Sequence, residues 1–171
     1  MDVSEAILTR RTHKAFARDP VPQQTLRELF ELARWAPNHH LSNPWRFRVV
    51  GPLALDALKR AAGPDGASKL DRAPTLVAAS AIRTPGDEVT ESEDRLAAGC
   101  ACYIVLLAAH ARGLAGYWRT PEVLRTGAGA AAVGIPENSE HVVGLLHLGW
   151  PRQARQPPAR ARLDDVLEFL G

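Results

Sequence analysis

Helical and strand-like periodicities alternate along the chain, and that pattern alone predicts a single three-layer α/β domain. Three observations carry the prediction. The 171 residues leave room for one substantial core and little for a second. Hydrophobic residues at 46% and charged residues at 23% are the proportions of an ordinary folded protein, not of a disordered chain. Strand-like runs such as WRFRVV and TLVAASAI stand between stretches of helical spacing, with neither an internal repeat nor a linker-like segment, so one domain spanning 1–171 is expected.

The elements follow in order. Asp2 or Ser4 can cap a short first helix that carries Val3, Ile7 and Leu8 and stops near Arg11 and Thr12. After PVPQQ, the residues Leu26, Leu29, Phe30 and Ala33 recur at helical spacing, and Pro37 closes that helix. WRFRVV begins in alternation and turns wholly apolar, as a strand entering a core does, and Gly51 and Pro52 separate it from the helix LALDALKRAA. TLVAASAI is the next strand. From about Glu93 to Arg112, small and aliphatic residues cover nearly the full circumference of a helix, so it needs cover on every side. A central helix of a monomer meets that need, and so does a helix shared between its own sheet and a second copy; for so small a domain a twofold dimer is favoured. GLAGYWR and VVGLLHLGWP read as the last two strands. The tail RQARQPPARARLDDVLEFLG places four arginines before its first acid and contains two prolines, which marks an extended segment able to wrap a partner subunit.

Composition excludes some function classes. A net charge of +2 is too small to argue for a nucleic-acid or membrane partner. Cys100 and Cys102 lie two apart, so on a helix they point to nearly opposite sides; buried, reduced thiols are expected, which suits the cytoplasm. MDVSEAIL has acids where a signal peptide needs bases, so nothing marks the chain for export. There is no GxSxG, P-loop, HExxH or GxGxxG sequence, and GAGAAAVG follows no clear strand.

What the chain does carry is arginine in three separated places: Arg10 and Arg11, Arg119, and Arg160 with Arg162. Guanidinium pairs well with phosphate because its planar fork donates two parallel hydrogen bonds and stays charged. Arg10 and Arg11 also suit a plain solvated helix end, where the dipole favours cations, and both readings stand on these residues alone. A second stretch, ARWAPNHHLSNPWRF, sets His39, His40, Ser42 and Asn43 in a loop framed by Trp35 and Trp45, an arrangement that can read the polar edge of a flat ligand. Adjacent histidines without a third spaced ligand are poor evidence for a metal, and none is expected.

At these residues the chain resembles the FMN-dependent nitroreductase family. The opening pattern R-R/H-S/T-x-K/R-x-F is met by Arg10, Arg11, Thr12, Lys14 and Phe16, and A-P-S-x-x-N-x-Q-P-W-x-F by Ala36, Pro37, Pro44, Trp45 and Phe47. GLAGYWR, VVGLLHLGWP and RARLDDV complete the likeness, from about Ala6 to the end of the chain. It departs at Leu41, where the family has asparagine, and at Asn43, where it has glutamine; His39 is the residue to take over an amide contact.

The resemblance implies an α+β fold, a mostly antiparallel sheet surrounded by helices, in place of the generic α/β arrangement. It implies a homodimer with FMN at the subunit interface and the C-terminal tail crossing to the partner subunit. Arg10, Arg11 and Thr12 would hold the FMN phosphate or ribityl chain, joined by Arg160 or Arg162 and by Arg119. Lys14 would lie beside flavin N1 and O2 and stabilise the anionic reduced ring, with no other side chain required for catalysis. Trp35, Tyr117 and Trp118 are candidates to approach the flavin. The implied chemistry is ping-pong: NAD(P)H reduces the flavin at N5, and a small flat electron-poor acceptor, such as a nitroaromatic or a quinone, reoxidises it. Two other readings compete, a flavin- or nucleotide-binding module without turnover and nucleic-acid binding through the arginine tail.

Overall fold

In a computed structural model, residues 1–156 and 158–170 are described; Pro157, one of the two tail prolines, lies outside them. Four strands form one sheet in the order β1-β2-β4-β3: β1 (Trp45–Val49), β2 (Thr75–Ile82), β3 (Ala115–Arg119) and β4 (Glu140–Gly149). Every pairing is antiparallel. Helices α1 (Val3–Thr9), α2 (Gln23–Ala33), α3 (Pro52–Leu70), α4 (Glu88–Ala111) and α5 (Gly127–Ala132) surround it. The architecture is therefore α+β, and the generic three-layer α/β reading of the bare periodicities gives way to it.

Alternation along the strands builds two cores. Val77, Ala79, Leu146 and Leu148 point to a face covered by α2 and α4, and Leu76, Ala78 and Leu145 to a face covered by α3 and α5. Strand β2 lies between two neighbours and is buried along its length, which is why TLVAASAI has no polar rhythm. Gly51 and Pro52 do more than separate elements, since they are the N-cap and first residue of α3. That helix breaks at Gly63, where φ is 67°, and Pro64 opens its second half.

Three boundaries differ from the sequence expectation. Helix α1 is capped by Asp2, whose Oδ1 accepts from Glu5 N–H at 2.8 Å, and ends at Thr9, short of Arg11 and Thr12. Helix α2 ends at Ala33, before Pro37. Helix α4 starts at Glu88, because Asp87 accepts from Thr90 N–H at 3.0 Å and caps a polar first turn.

Helix α4 is long and apolar enough to cross a membrane by length and composition, yet half of its most apolar stretch is buried in the fold. Ala98, Ala101, Cys102, Val105 and Ala109 face the sheet, while Val89, Leu96 and Tyr103 are exposed. Cys102 is buried, and that burial pushes its thiol up to about 12; Cys100 is exposed, contrary to the expectation of two buried thiols.

Candidate functional site

The basic segment after α1 is tied to the sheet by its backbone. Thr12 forms a parallel bridge with Gly116 of β3, His13 N–H donates to Gly116 O at 3.3 Å, and Phe16 bridges Pro151 just past β4. Thr12 and His13 therefore lie along the open edge of β3, and the chain then passes to the end of β4, with Phe16 buried as its anchor.

Cations crowd there. Arg10 and Arg11 are half-buried, and the Nε of each is buried without a hydrogen-bond partner. Arg11 Nη1 donates to Leu8 O at 2.6 Å and Arg10 O at 2.7 Å, so its fork is partly spent on the helix end. The Arg10 guanidinium carbon stands 5.9 Å from the centre of the Tyr103 ring, within cation–π range. His13 is pushed below its ordinary value by burial, then by the charges of Arg155, His110 and Arg10. His110, which pairs with Thr9 Oγ1 at 2.8 Å, is lowered by burial and then by Arg10 and Arg11. Leaving a guanidinium N–H buried and unpaired costs about 1–3 kcal/mol, and a phosphate is the group that would satisfy it.

On the other side of Tyr103 opens a cleft of about 1220 Å³. Its floor is one stripe of α4: Ser92, Leu96, Gly99, Cys100 and Tyr103 recur at helical spacing. Trp118 forms a wall and donates from Nε1 to Val143 O at 3.2 Å. That position depends on Gly144, whose φ is 155° beside a bulge in β4, because a Cβ there would fall on Trp118 Nε1. Glu140, at one end of the cleft, is held by both Nη atoms of Arg48, at 2.7 and 2.8 Å, and by the Ser80 hydroxyl. Burial pushes Glu140 up, but those hydrogen bonds outweigh it and keep the carboxyl below its ordinary value. Nearby, His141 Nε2 meets Glu91 Oε2 at 2.9 Å and lowers Glu91.

The loop over residues 38–43 is held in an uncommon shape. His40, Leu41 and Asn43 have φ of 47°, 53° and 48°. Asn38 Oδ1 accepts from Asn43 N–H at 2.9 Å, and Ser42 Oγ donates to the buried Asp94 of α4 at 2.7 Å. His39 Nδ1 lies 3.2 Å from Glu93, the preceding residue of α4.

The structure brings some of the sequence-derived residues together and separates others. Arg10, Arg11 and Thr12 share one site with His13, and the exposed Lys14 follows them. Trp118 lines the cleft, but its strand neighbours take the opposite face: the Tyr117 ring sits 5.5 Å from that of the buried His147, and Arg119 bears on the same histidine. Trp35 is exposed at the end of α2, and the Asn43 amide is spent on Leu41 O at 2.6 Å. Arg160 and Arg162 are exposed, and Arg162 pairs with Asp164 at 3.1 Å; Arg155 is the tail arginine whose charge reaches the cluster. Sequence reasoning missed Tyr103, His110, Arg155 and Asp94. The α4 stripe was visible in the helical spacing, whereas the contacts across the sheet edge were not.

Comparison with known proteins places this arrangement. Residues 7–150 match the model of the Nitroreductase family. YdjA of Escherichia coli K12, which carries the provisional name NAD(P)H nitroreductase, is 28% identical over 166 residues, covering 89% of this chain and 90% of YdjA. A nitroreductase-like family protein from Bacillus cereus superposes with a TM-score of 0.89 at 22% identity, over 99% of this chain and 96% of that one. A protein of Desulfovibrio desulfuricans, provisionally named a nitroreductase and solved in complex with FMN, gives a TM-score of 0.83 at 26% identity, over 100% and 98% of the two chains. The fold and the family match thus define a nitroreductase-like oxidoreductase. The chain belongs to the nitroreductase family.

Proposed function

We propose that the chain is one FMN-binding domain, 1–171, of a homodimeric enzyme that takes reducing equivalents from NADH or NADPH. It passes them to flat, electron-poor acceptors such as nitroaromatics or quinones, in alternating half-reactions. The observation that carries this reading is the pair of buried, unpartnered Nε atoms of Arg10 and Arg11, set among further cations and joined through Tyr103 to an aromatic-walled cleft. FMN, when bound, supplies the hydride-accepting ring.

The chain's own residues then have separate tasks. Arg10, Arg11 and Thr12 bind the phosphate end, with Arg155 adding charge. Lys14 makes no ion pair or side-chain hydrogen bond among the described residues, so its ammonium remains available to the flavin edge. It is the electrostatic stabiliser, because a fixed cation there favours negative charge on the ring. Trp118 and Tyr103 exclude water from the cleft, and His39 stands on the rim loop. A second copy covers the exposed apolar surface of Val3 and Leu8 on α1, and of Trp35 and Leu41. The tail carries Arg160 and Arg162 toward that partner, with Leu163, Val166, Leu167, Phe169 and Leu170 all exposed and needing burial. The cytoplasm suits its two free cysteines.

An anaerobic titration of the purified protein with both nicotinamides tests the reading. Yellow protein that bleaches is the expected result, and Arg10→Ala is expected to lose its colour on gel filtration. Colourless parent protein that takes up no added FMN would refute it.

A further inference from the structure

The cleft has a cationic end of its own. Arg95 on α4 and Arg125, in the turn Glu122–Arg125 before α5, both line it, with Arg83 near them. Two of the acids around them are engaged, while the carboxylate of Glu137, which also lines the cleft, makes no ion pair among the described residues. Glu140 is bound by Arg48 and Ser80, and Glu91 by His141. Arg83 Nη1 donates to Glu137 O at 3.3 Å, while its Nε lies 3.6 Å from Glu91 Oε1, too far for a hydrogen bond, and both of those atoms are buried without a partner. Among the described residues, Arg95 and Arg125 make no ion pair and no side-chain hydrogen bond.

Position separates this pair from the phosphate site. Arg95 precedes Tyr103 by eight residues of α4, about 12 Å along the helix axis. Arg10 stands over Tyr103, at the opposite end of the α4 stripe from Arg95, without itself lining the cleft. A flat neutral acceptor brings no charge to the Arg95 end. A nicotinamide dinucleotide does, since it carries a diphosphate and, in NADPH, a further phosphate on the ribose. Its ring can lie against the apolar middle of the cleft while its anionic part reaches the arginines.

We propose that Arg95 and Arg125 form a second anion site, at the end of the cleft away from Arg10, that holds the phosphate groups of the nicotinamide donor. This rests on the NAD(P)H-dependent reading above and adds to it the residues that recognise the donor. Both side chains are exposed, so solvent screens each contact and the expected loss per residue is about tenfold, not the hundredfold of a buried charged pair.

Three donors and two binding probes test it on the flavin-loaded protein. Calorimetric titration with NADP+ and NAD+ is expected to show about tenfold weaker binding for Arg95→Ala and for Arg125→Ala. KM for NADPH and NADH is expected to rise in step, while reduction by 1-benzyl-1,4-dihydronicotinamide, which has no phosphate, is unchanged. A loss confined to NADP+ and NADPH supports a 2′-phosphate at the pair, and an equal loss for both nucleotides supports the diphosphate. Arg60→Ala, an exposed arginine of α3, controls for net charge. The proposal is overturned if both variants bind the nucleotides as the parent does, if the phosphate-free donor suffers equally, or if Arg60→Ala causes the same loss. A parent that none of the three donors reduces would overturn the oxidoreductase reading itself, and this proposal with it.

Discussion

His147 offers a direct test of the packing argument. It sits near the C-terminal end of β4, fully buried, with both ring nitrogens lacking a hydrogen-bond partner and the Tyr117 ring 5.5 Å away. Burial, then the charges of Arg119 and Arg72, lower it from 6.5 to about 4. The unfolded chain therefore takes up the proton first as pH falls, and stability is lost from about pH 6.5 down to about pH 4. The full shift corresponds to about 3 kcal/mol, of which about 2 kcal/mol is lost between pH 7.5 and pH 5. His147→Leu keeps the volume roughly constant and removes the titration and the orphaned polar atoms together, so at pH 7.5 it is expected to be neutral or stabilising. Urea unfolding of parent and variant at both pH values isolates the contribution, because the lowered His13 and His110 act equally in both proteins. The stability gap between the two proteins should shift by about 2 kcal/mol in favour of the variant at pH 5. Parallel pH dependences would show that His147 is not held neutral by its surroundings.

Three further outcomes follow from the site. An anion placed among Arg10, His13 and His110 raises both histidines again, so FMN binding should take up protons and tighten as pH falls from about 7 to 6; calorimetry in buffers of different ionisation enthalpy reads this, and zero uptake would place the phosphate elsewhere. Lys14→Ala should lower the flavin reduction potential and slow reduction by nicotinamide roughly tenfold or more while FMN stays bound, since a single electrostatic contact to developing charge is being removed; unchanged half-reactions would free Lys14 of that role. Gly144→Ala should destabilise the fold by about 1–3 kcal/mol and shift tryptophan fluorescence, because the added methyl displaces Trp118; an unshifted spectrum would contradict the placement of its ring.

Much of the fold was legible because it depends on short-range patterns. TLVAASAI, with only Thr75 and Ser80 among its apolar residues, read as a strand, and VVGLLHLG spans the sheet beside it. Direction was not legible: antiparallel and parallel sheets use the same apolar runs, and only the family resemblance distinguished them. The strand rule itself separates Trp118 from Tyr117 and Arg119, since side chains two apart share a face and neighbours do not. Naming both Tyr117 and Trp118 as candidates to approach the flavin set that alternation aside. Arg155 and His110 reach the Arg10 cluster across long stretches of chain, through a bridge between Thr12 and Gly116 that no local pattern encodes. The cap at Asp87 lay in plain view, but the polar turn after it masked the helix start.

The loop over residues 38–43 gives up backbone comfort for a fixed outline. Each L-residue in the left-handed region costs roughly 1 kcal/mol, and three of them within four positions persist because Asp94 and Asn38 brace them from below. Glycine at those positions would ease the chain and also let it wander. A guest arriving at this rim meets side chains already set in place, and the cost of arranging them was met when the protein folded.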